Sequence, residues 1–297
     1  MTPSQSGVPK VGSPAIIVIS SHVVRGSVGN RAAAFALEVL GHPVWSLPTI
    51  ILPWHPGHGP ANRIVADNSS FGAVIDDLSR APWLGEVGAV LSGYLGDACQ
   101  ASDIARLVAA VKTANPAALY ACDPVIGDHG GLYVPEATAV GIRDELISIC
   151  DIATPNRFEL QWLSGSDDFS ANEALAVAAR GLGPAIVLAT SAFALMRNSI
   201  GSLLVTPDNA ELAEHRYVAD PPNGLGDLMS ALFLSHIVNA GTGFEQQRQA
   251  LARSAASVFE ILQRTAAMHA HELVLEQSIQ SIQQPASPVQ MRKIAGI

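Results

Sequence analysis

Ala118-Leu119-Tyr120-Ala121-Cys122-Asp123-Pro124-Val125-Ile126-Gly127-Asp128 is the stretch on which the fold turns. A short apolar run stops abruptly at a carboxylate and a proline, and a second carboxylate follows a glycine. An apolar run without alternation suits a strand covered on both faces, as in the interior of a parallel sheet. The polar residues behind it then stand at the strand's carboxyl end, where open α/β sheets bind ligands.

Reading outward, the same kind of run recurs at Ala15 to Ile19, Ala89 to Leu91 and Ala185 to Ala189. Helical patterns lie between: Asn30 to Leu40, Ala101 to Ala114, Glu136 to Ile149 and Asn172 to Arg180. The alternation predicts an α/β chain with a mostly parallel central sheet and helices on both faces, a three-layer α/β/α sandwich. Phe193 to Met196 and Ile200 to Thr206, separated by Arg197-Asn198-Ser199, are expected to form a hairpin at one sheet edge. Asp227 to Val238 is apolar on all sides and reads as a central helix, and Gln247 to His269 as an amphipathic outer one. One domain over 14–275 is expected, between a flexible N-terminus at 1–13 and a poorly ordered C-terminal tail at 276–297 rich in Gln, Ser and Pro.

The chain has 297 residues, enough for one full hydrophobic core, and 48% of them are hydrophobic against 14% charged. That balance fits a chain that buries much of itself, in its own core or against a second copy. A net charge of −9 without a basic run argues against nucleic acid and anionic membranes as partners. Lys10, Lys112 and Lys293 all lie outside glycine-rich segments, so the lysine-bearing phosphate loop is absent. Cys99, Cys122 and Cys150 are widely spaced and form no Cys-x-x-Cys pair, which fits buried thiols in a reducing compartment rather than zinc ligands. The apolar run from Ala15 is too short for a signal peptide or a membrane span, so the cytoplasm is the expected location.

The central helix follows Asn223-Gly224-Leu225-Gly226-Asp227. Two glycines allow a tight turn and a close backbone approach to a ligand. The helix start adds unpaired N–H groups and the positive end of the dipole, an anion site. Asp227 there is either a helix cap or a general base beside a bound phosphate. Two other strand-end segments contribute polar groups. Asp151-Ile152-Ala153-Thr154-Pro155-Asn156-Arg157-Phe158-Glu159 sets Asn156 and Glu159 at one strand-to-helix crossing, and Thr190-Ser191 follows the run ending at Ala189. His55 and His58 suggest a metal pair, but the Pro56-Gly57 between them reads as a turn.

Taken together, the chain resembles the pyridoxal kinases of the ribokinase-like superfamily, from about Ala15 to the helix after Asp227. The segments that carry the resemblance are Ser21-His22-Val23-Val24-Arg25-Gly26-Ser27-Val28-Gly29-Asn30-Arg31-Ala32-Ala33, Leu91-Ser92-Gly93-Tyr94, Cys122 to Asp128, Tyr133-Val134-Pro135 and Thr154 to Glu159, in the right order and spacing. The resemblance implies a ribokinase-like fold, ATP as co-substrate, Mg²⁺, commonly a monovalent cation such as K⁺, and a homodimer. By it, Asp227 would take the proton from the 5′-hydroxyl of pyridoxal as that oxygen attacks the γ-phosphate of ATP. The backbone of Gly224, Leu225, Gly226 and Asp227 would form the anion hole. Asp123 and Glu159 would organise Mg²⁺, and Asp128 would lie beside metal and phosphates. Tyr133 would form a flap over the nucleotide, which Thr154, Asn156, Thr190 and Ser191 would also meet. Ser21 would face the pyridine nitrogen, with Val28, Leu52, His55 and Tyr94 as walls of the ring site.

Two departures from the family pattern stand out. Leu52-Pro53-Trp54-His55-Pro56-Gly57-His58 lacks the usual aromatic near Leu52 and the usual threonine near Pro56, and Leu225 replaces a small polar residue between the glycines. A hydroxymethylpyrimidine kinase of the same fold and a non-catalytic binder of nucleotide or pyridoxal phosphate are the competing functions. A dinucleotide oxidoreductase is excluded, because no Gly-x-Gly-x-x-Gly opens the first helix.

Overall fold

The computed structural model describes residues 12–166 and 169–294. Most of the expected flexible N-terminus at 1–13 lies outside the described residues. In chain order the elements are β1 (Ala15–Val23), α1 (Asn30–Val39), β2 (Val44–Leu52), β3 (Ile64–Val65), α2 (Asn68–Ser79), β4 (Val87–Ser92), α3 (Gln100–Ala114) and β5 (Leu119–Cys122). A small hairpin follows, β6 (Gly127–Asp128) and β7 (Gly131–Leu132), then α4 (Glu136–Gly141), β8 (Ile152–Ala153), α5 (Arg157–Ser164) and α6 (Asn172–Gly181). The chain closes with β9 (Ile186–Ala192), β10 (Ser199–Val205), β11 (Ala210–Arg216), α7 (Leu225–Ala240), α8 (Phe244–Ala267), α9 (Ile279–Gln283) and β12 (Gln290–Lys293).

The strands form one sheet in the order β12-β11-β10-β9-β8-β5-β4-β1-β2-β3. From β2 to β9 every neighbouring pair is parallel, while β10, β11 and β12 add antiparallel at one end and β3 at the other. Successive residues of β1 supply opposite faces. Ile17 and Ile19 pack into a core with α2, α3, α5 and α6, and Ile16 and Val18 into a second core with α1, α7 and α8. Those two cores make the three layers that the uninterrupted apolar runs imply. α7 lies in the second core with Leu228, Leu232, Phe233 and Leu234 all inaccessible, as expected for a helix apolar all round.

Several expectations need correction. Phe193 to Met196 is no strand but the connection between β9 and β10, and it is held by the Glu214 carboxylate, which accepts from the backbone N–H groups of Leu195 and Met196. The expected disorder of the tail does not hold for 276–294, which contains α9 and β12, the latter paired antiparallel with β11. Cys122 and Cys150 are buried as expected, but Cys99 is exposed at the start of α3. β2 has no clear sequence signal because Pro48 interrupts it. The strand tolerates the proline since β3 covers only Ile50 and Ile51, leaving Pro48 on an uncovered outer side.

Candidate active site

The parallel strands β1, β4, β5, β8 and β9 all point the same way, so the segments after them gather at one edge of the sheet. α7 enters at this edge. Gly224 caps it with φ 98°, and a side chain there would strike the Ser27 carbonyl, so both backbone conformation and space demand glycine. Leu225, Gly226 and Asp227 are then the first three residues of the helix, whose N–H groups have no partner within it. Gly226 is exposed and the neighbouring residues half-buried, so this ring of donors is open to a ligand. Asp227 is therefore not the cap of α7; it sits in the first turn with its carboxyl turned toward the Gly29 backbone N–H.

Asp227 keeps some surface open to solvent although protein surrounds it densely. This burial raises its carboxyl pKa to about 6, against the pull of the N–H groups of Gly29 and of Asp227 itself. Asp123 is buried beside it, 4.0 Å from the point where a side chain on Gly226 would begin. Burial first, and the nearby Asp227 charge second, push the Asp123 carboxyl up, while a hydrogen bond from Ser230 opposes the rise. Ser230 Oγ lies 2.9 Å from Asp123 Oδ2 and 2.8 Å from Thr154 Oγ1, so Thr154, Ser230 and Asp123 form one chain of contacts.

Glu159 is equally buried. Its Oε1 accepts from the Ile126 N–H at 3.1 Å and its Oε2 from the Asn156 N–H at 2.8 Å. Its pKa too is raised, by burial and then by the Asp123 charge, with the backbone donors opposing. Asn156 caps α5: Oδ1 accepts from the Glu159 N–H, and Nδ2 donates to the Gly127 carbonyl at 2.8 Å. Asn156 and Glu159 thus bind the end of β8 to the loop after β5, a reciprocal capping box. Asp128 lies on the β6–β7 hairpin, where Tyr133 and the Gly130 N–H hold its carboxyl below the usual range. Thr190 pairs with Asn156 across a parallel bridge, and Ser191 follows with φ 54°.

The expected ring walls also come together. Val28, Leu52 and Tyr94 meet Val23, Ile50 and Val65 in a small apolar cluster separate from the two main cores. Ser21 is buried at the end of β1, and its carbonyl and hydroxyl crowd Gly29, where φ is 56°. His55 and His58 turn to different partners. His55 Nδ1 accepts from the Gly57 N–H at 3.0 Å, and His58 instead reaches Glu272 at 2.7 Å. Gly57 approaches Asn223, so the segment carrying His55 leans over the start of the Gly224 turn. A hollow of about 250 Å³ lined by His22, Asn30, Arg31 and Glu276 adjoins Ser27 but includes none of the expected site residues.

Sequence reading missed Ser230 and Gly29 as parts of the site. Ser230 stands three residues beyond Asp227, hence on the same side of α7; its polarity was hidden in a run read as wholly apolar. Among the described residues no group of three or more His, Cys, Asp or Glu is placed to enclose a metal. A buried Asp123 beside the helix-start turn, with Glu159 close enough for the two charges to act on each other, fits a hard cation held mostly by water and phosphate oxygens.

Comparisons with known proteins follow the same direction. No family model matches the chain. The chain is 35% identical over 286 residues to the pyridoxal kinase PdxY of Corynebacterium diphtheriae, covering 94% of this chain and 99% of that protein. It is 36% identical over 289 residues to the pyridoxal kinase PdxY of Rubrobacter xylanophilus, covering 94% and 97%. Among solved structures, the pyridoxal kinase of Leishmania donovani in complex with ADP and pyridoxamine superposes with a TM-score of 0.86 at 25% identity, over 95% of this chain and 99% of that one.

Proposed function

The chain belongs to the pyridoxal kinase family, and from that premise we propose how its residues transfer the γ-phosphate of ATP to the 5′-hydroxyl of pyridoxal, giving pyridoxal 5′-phosphate and ADP. The observation that carries the reading is Asp227 in the first turn of α7, with its carboxyl at about 6, beside the backbone donors of the helix start and the buried Asp123. At neutral pH such a carboxyl is ionised yet still basic enough to draw a proton from an attacking hydroxyl. The N–H groups of Leu225, Gly226 and Asp227 receive the transferring phosphoryl oxygens, so positioning and charge stabilisation come from backbone already fixed by the helix.

Asp123, with Glu159 behind it, would hold Mg²⁺, which when bound neutralises charge on the ATP phosphates. The raised pKa values support this role, because two buried carboxyls whose charges repel each other are costly to ionise unless a counter-charge joins them. The capping box of Asn156 and Glu159 fixes the shape of the crossing, and Asn156 acts on the nucleotide through that shape, since its side-chain groups are engaged with backbone. Thr154, Thr190 and Ser191 line the nucleotide side, Asp128 stands near the phosphates, and Tyr133 on its hairpin covers the nucleotide. Ser21 meets the pyridine nitrogen, with Val28, Leu52, His55 and Tyr94 around the ring. A single kinase domain, extended to include β12, carries the reaction, in a cytoplasmic homodimer. Among the described residues no helix is long and apolar enough to cross a membrane.

A coupled assay of ADP release tests this with pyridoxal, pyridoxine, pyridoxamine and hydroxymethylpyrimidine as acceptors, with and without K⁺. Pyridoxal-dependent ADP release, with pyridoxal 5′-phosphate formed in equal amount, is the expected result. Turnover of the pyrimidine alone, or ligand binding without ADP release, overturns the reading.

A further inference from the structure

Two loops wall the ring site, and the backbone ladder that joins them ends early. β1 and β2 pair along their length, and the pairing continues through the bond from the Val24 N–H to the Leu52 carbonyl at 2.8 Å and from the Arg25 N–H to the Pro53 carbonyl at 2.9 Å. There the chains diverge. One turns through Gly26, Ser27 and Val28 into α1, and the other runs through His55 to His58.

Glu272, on the segment after α8, takes over at that point. Its Oε2 accepts from the Ser27 N–H at 3.3 Å, and its Oε1 lies 2.7 Å from His58 Nε2 and 3.4 Å from Arg25 Nη1. The next residue strengthens the same attachment, because the Leu273 carbonyl accepts from Ser27 Oγ at 3.0 Å. Gly26 has φ 117°, and a side chain there would meet the Glu272 carboxylate at 2.8 Å, so the turn is shaped to admit this group. The carboxylate is largely sheltered, with 16% of its side chain exposed, which limits screening by water. On its other side the Ser27 carbonyl is the group against which Gly224 packs. One residue, Ser27, therefore touches the Glu272 carboxylate through its N–H and the Gly224 turn through its carbonyl.

We propose that Glu272 is a positioning residue for the vitamin substrate: it clips the Ser27–Val28 turn to the His55–His58 loop and so fixes the mouth of the ring site. The proposal rests on the reading of Val28, Leu52, His55 and Tyr94 as that site. Glu272 acts through the two loops. Loss of the clip lets both walls move apart, which weakens binding of the small ring more than binding of the nucleotide.

Steady-state kinetics of Glu272→Ala, Glu272→Gln, His58→Ala, the double variant Glu272→Ala/His58→Ala and Val28→Ala test it. Glu272→Ala raises KM for pyridoxal about tenfold, the scale of losing hydrogen bonds to a charged group, while KM for ATP stays within about twofold. Glu272→Gln, which keeps an acceptor, gives a smaller rise. The double variant is no worse than Glu272→Ala, because both changes remove one connection. Should Glu272→Ala fail to fold, Glu272→Gln and the loop-side His58→Ala carry the comparison. An unchanged KM for pyridoxal in the Glu272 variants, or an equal rise for ATP, overturns the proposal. If Val28→Ala alone raises KM for pyridoxal, the clip is wrong and the ring site stands. If Val28→Ala also has no effect, the assignment of the ring site is wrong, and the proposal falls with it.

Discussion

The proposed phosphate side and the proposed ring side of the site are built differently. On the phosphate side, Asp227, Asp123, Thr154, Ser230, Asn156 and Glu159 sit at the ends of buried strands and helices, tied to one another and to backbone by hydrogen bonds. On the ring side, Val28, Leu52 and Tyr94 form a small apolar cluster at the mouth of two loops, joined by one carboxylate from far along the chain. A rigid, polar half suits chemistry that is the same for every acceptor, because phosphoryl transfer asks mainly for fixed donors and fixed charge. A smaller apolar half suits selection of the acceptor, and it meets the helix-start turn only where Ser27 and Val28 pack against Gly224. The two departures from the family pattern agree with this division. One falls on the proposed ring side, and the other, Leu225, sits where the proposed anion hole needs only its backbone N–H.

Substitutions on the two sides should therefore have different kinetic signatures. The largest effect is expected for Asp227→Asn, which lowers kcat by roughly 10²–10⁴, the usual worth of a positioned base, and leaves nucleotide affinity nearly unchanged. Rapid-quench kinetics with a parallel ADP-binding titration checks both; near-normal turnover would mean that Asp227 merely stabilises the helix start. Next comes Asp123→Asn, expected to raise the Mg²⁺ concentration for half-maximal rate about 10–100-fold, the range seen when groups supporting a metal are lost. An unchanged Mg²⁺ titration removes Asp123 from that role.

Gly224→Ala places a side chain at φ 98° and against the Ser27 carbonyl. It should destabilise the fold by about 1–3 kcal/mol, read as a lower midpoint in urea, and it joins the two halves because it pushes the anion turn away from the ring-side loop. The smallest effect is expected for Tyr94→Phe, a change confined to the ring side. It removes one phenol and should raise KM for pyridoxal by about twofold to tenfold with kcat unchanged. A fall in kcat in that variant would break the division between the halves.

The same contrast governs what could be read in the sequence. The positions assigned to the phosphate side were legible because they follow apolar stretches: Asp123 after β5, Thr154 to Glu159 after β8, Thr190 just beyond the apolar run that opens β9, and Asp227 at the start of a helix apolar all round. Local pattern and function coincide there. Ser230 was missed because one hydroxyl does not disturb the apolar character of α7. Asn156 stands at the expected strand-to-helix crossing, yet its side chain is engaged in capping, which spacing alone does not reveal. The ring side was less legible. Pro48 obscured β2, and α2 was passed over although Asp67 caps it by accepting from the Ser70 N–H. The pairing of β12 with β11 rests on contacts distant in sequence, as does the place of Glu272, 245 residues from Ser27. Such contacts leave no periodicity for a sequence reading to find.

The central claim is that Asp227 is the base, and the pH dependence of kcat/KM for pyridoxal tests it most directly. Burial raises the Asp227 carboxyl to about 6, so the group is protonated and unable to accept a proton below that value. The rate of the unmodified enzyme should fall about tenfold per pH unit on the acid side of that value, while the residual rate of Asp227→Asn should show no such limb. The same acid limb surviving in Asp227→Asn would assign the titration to another group and contradict the account.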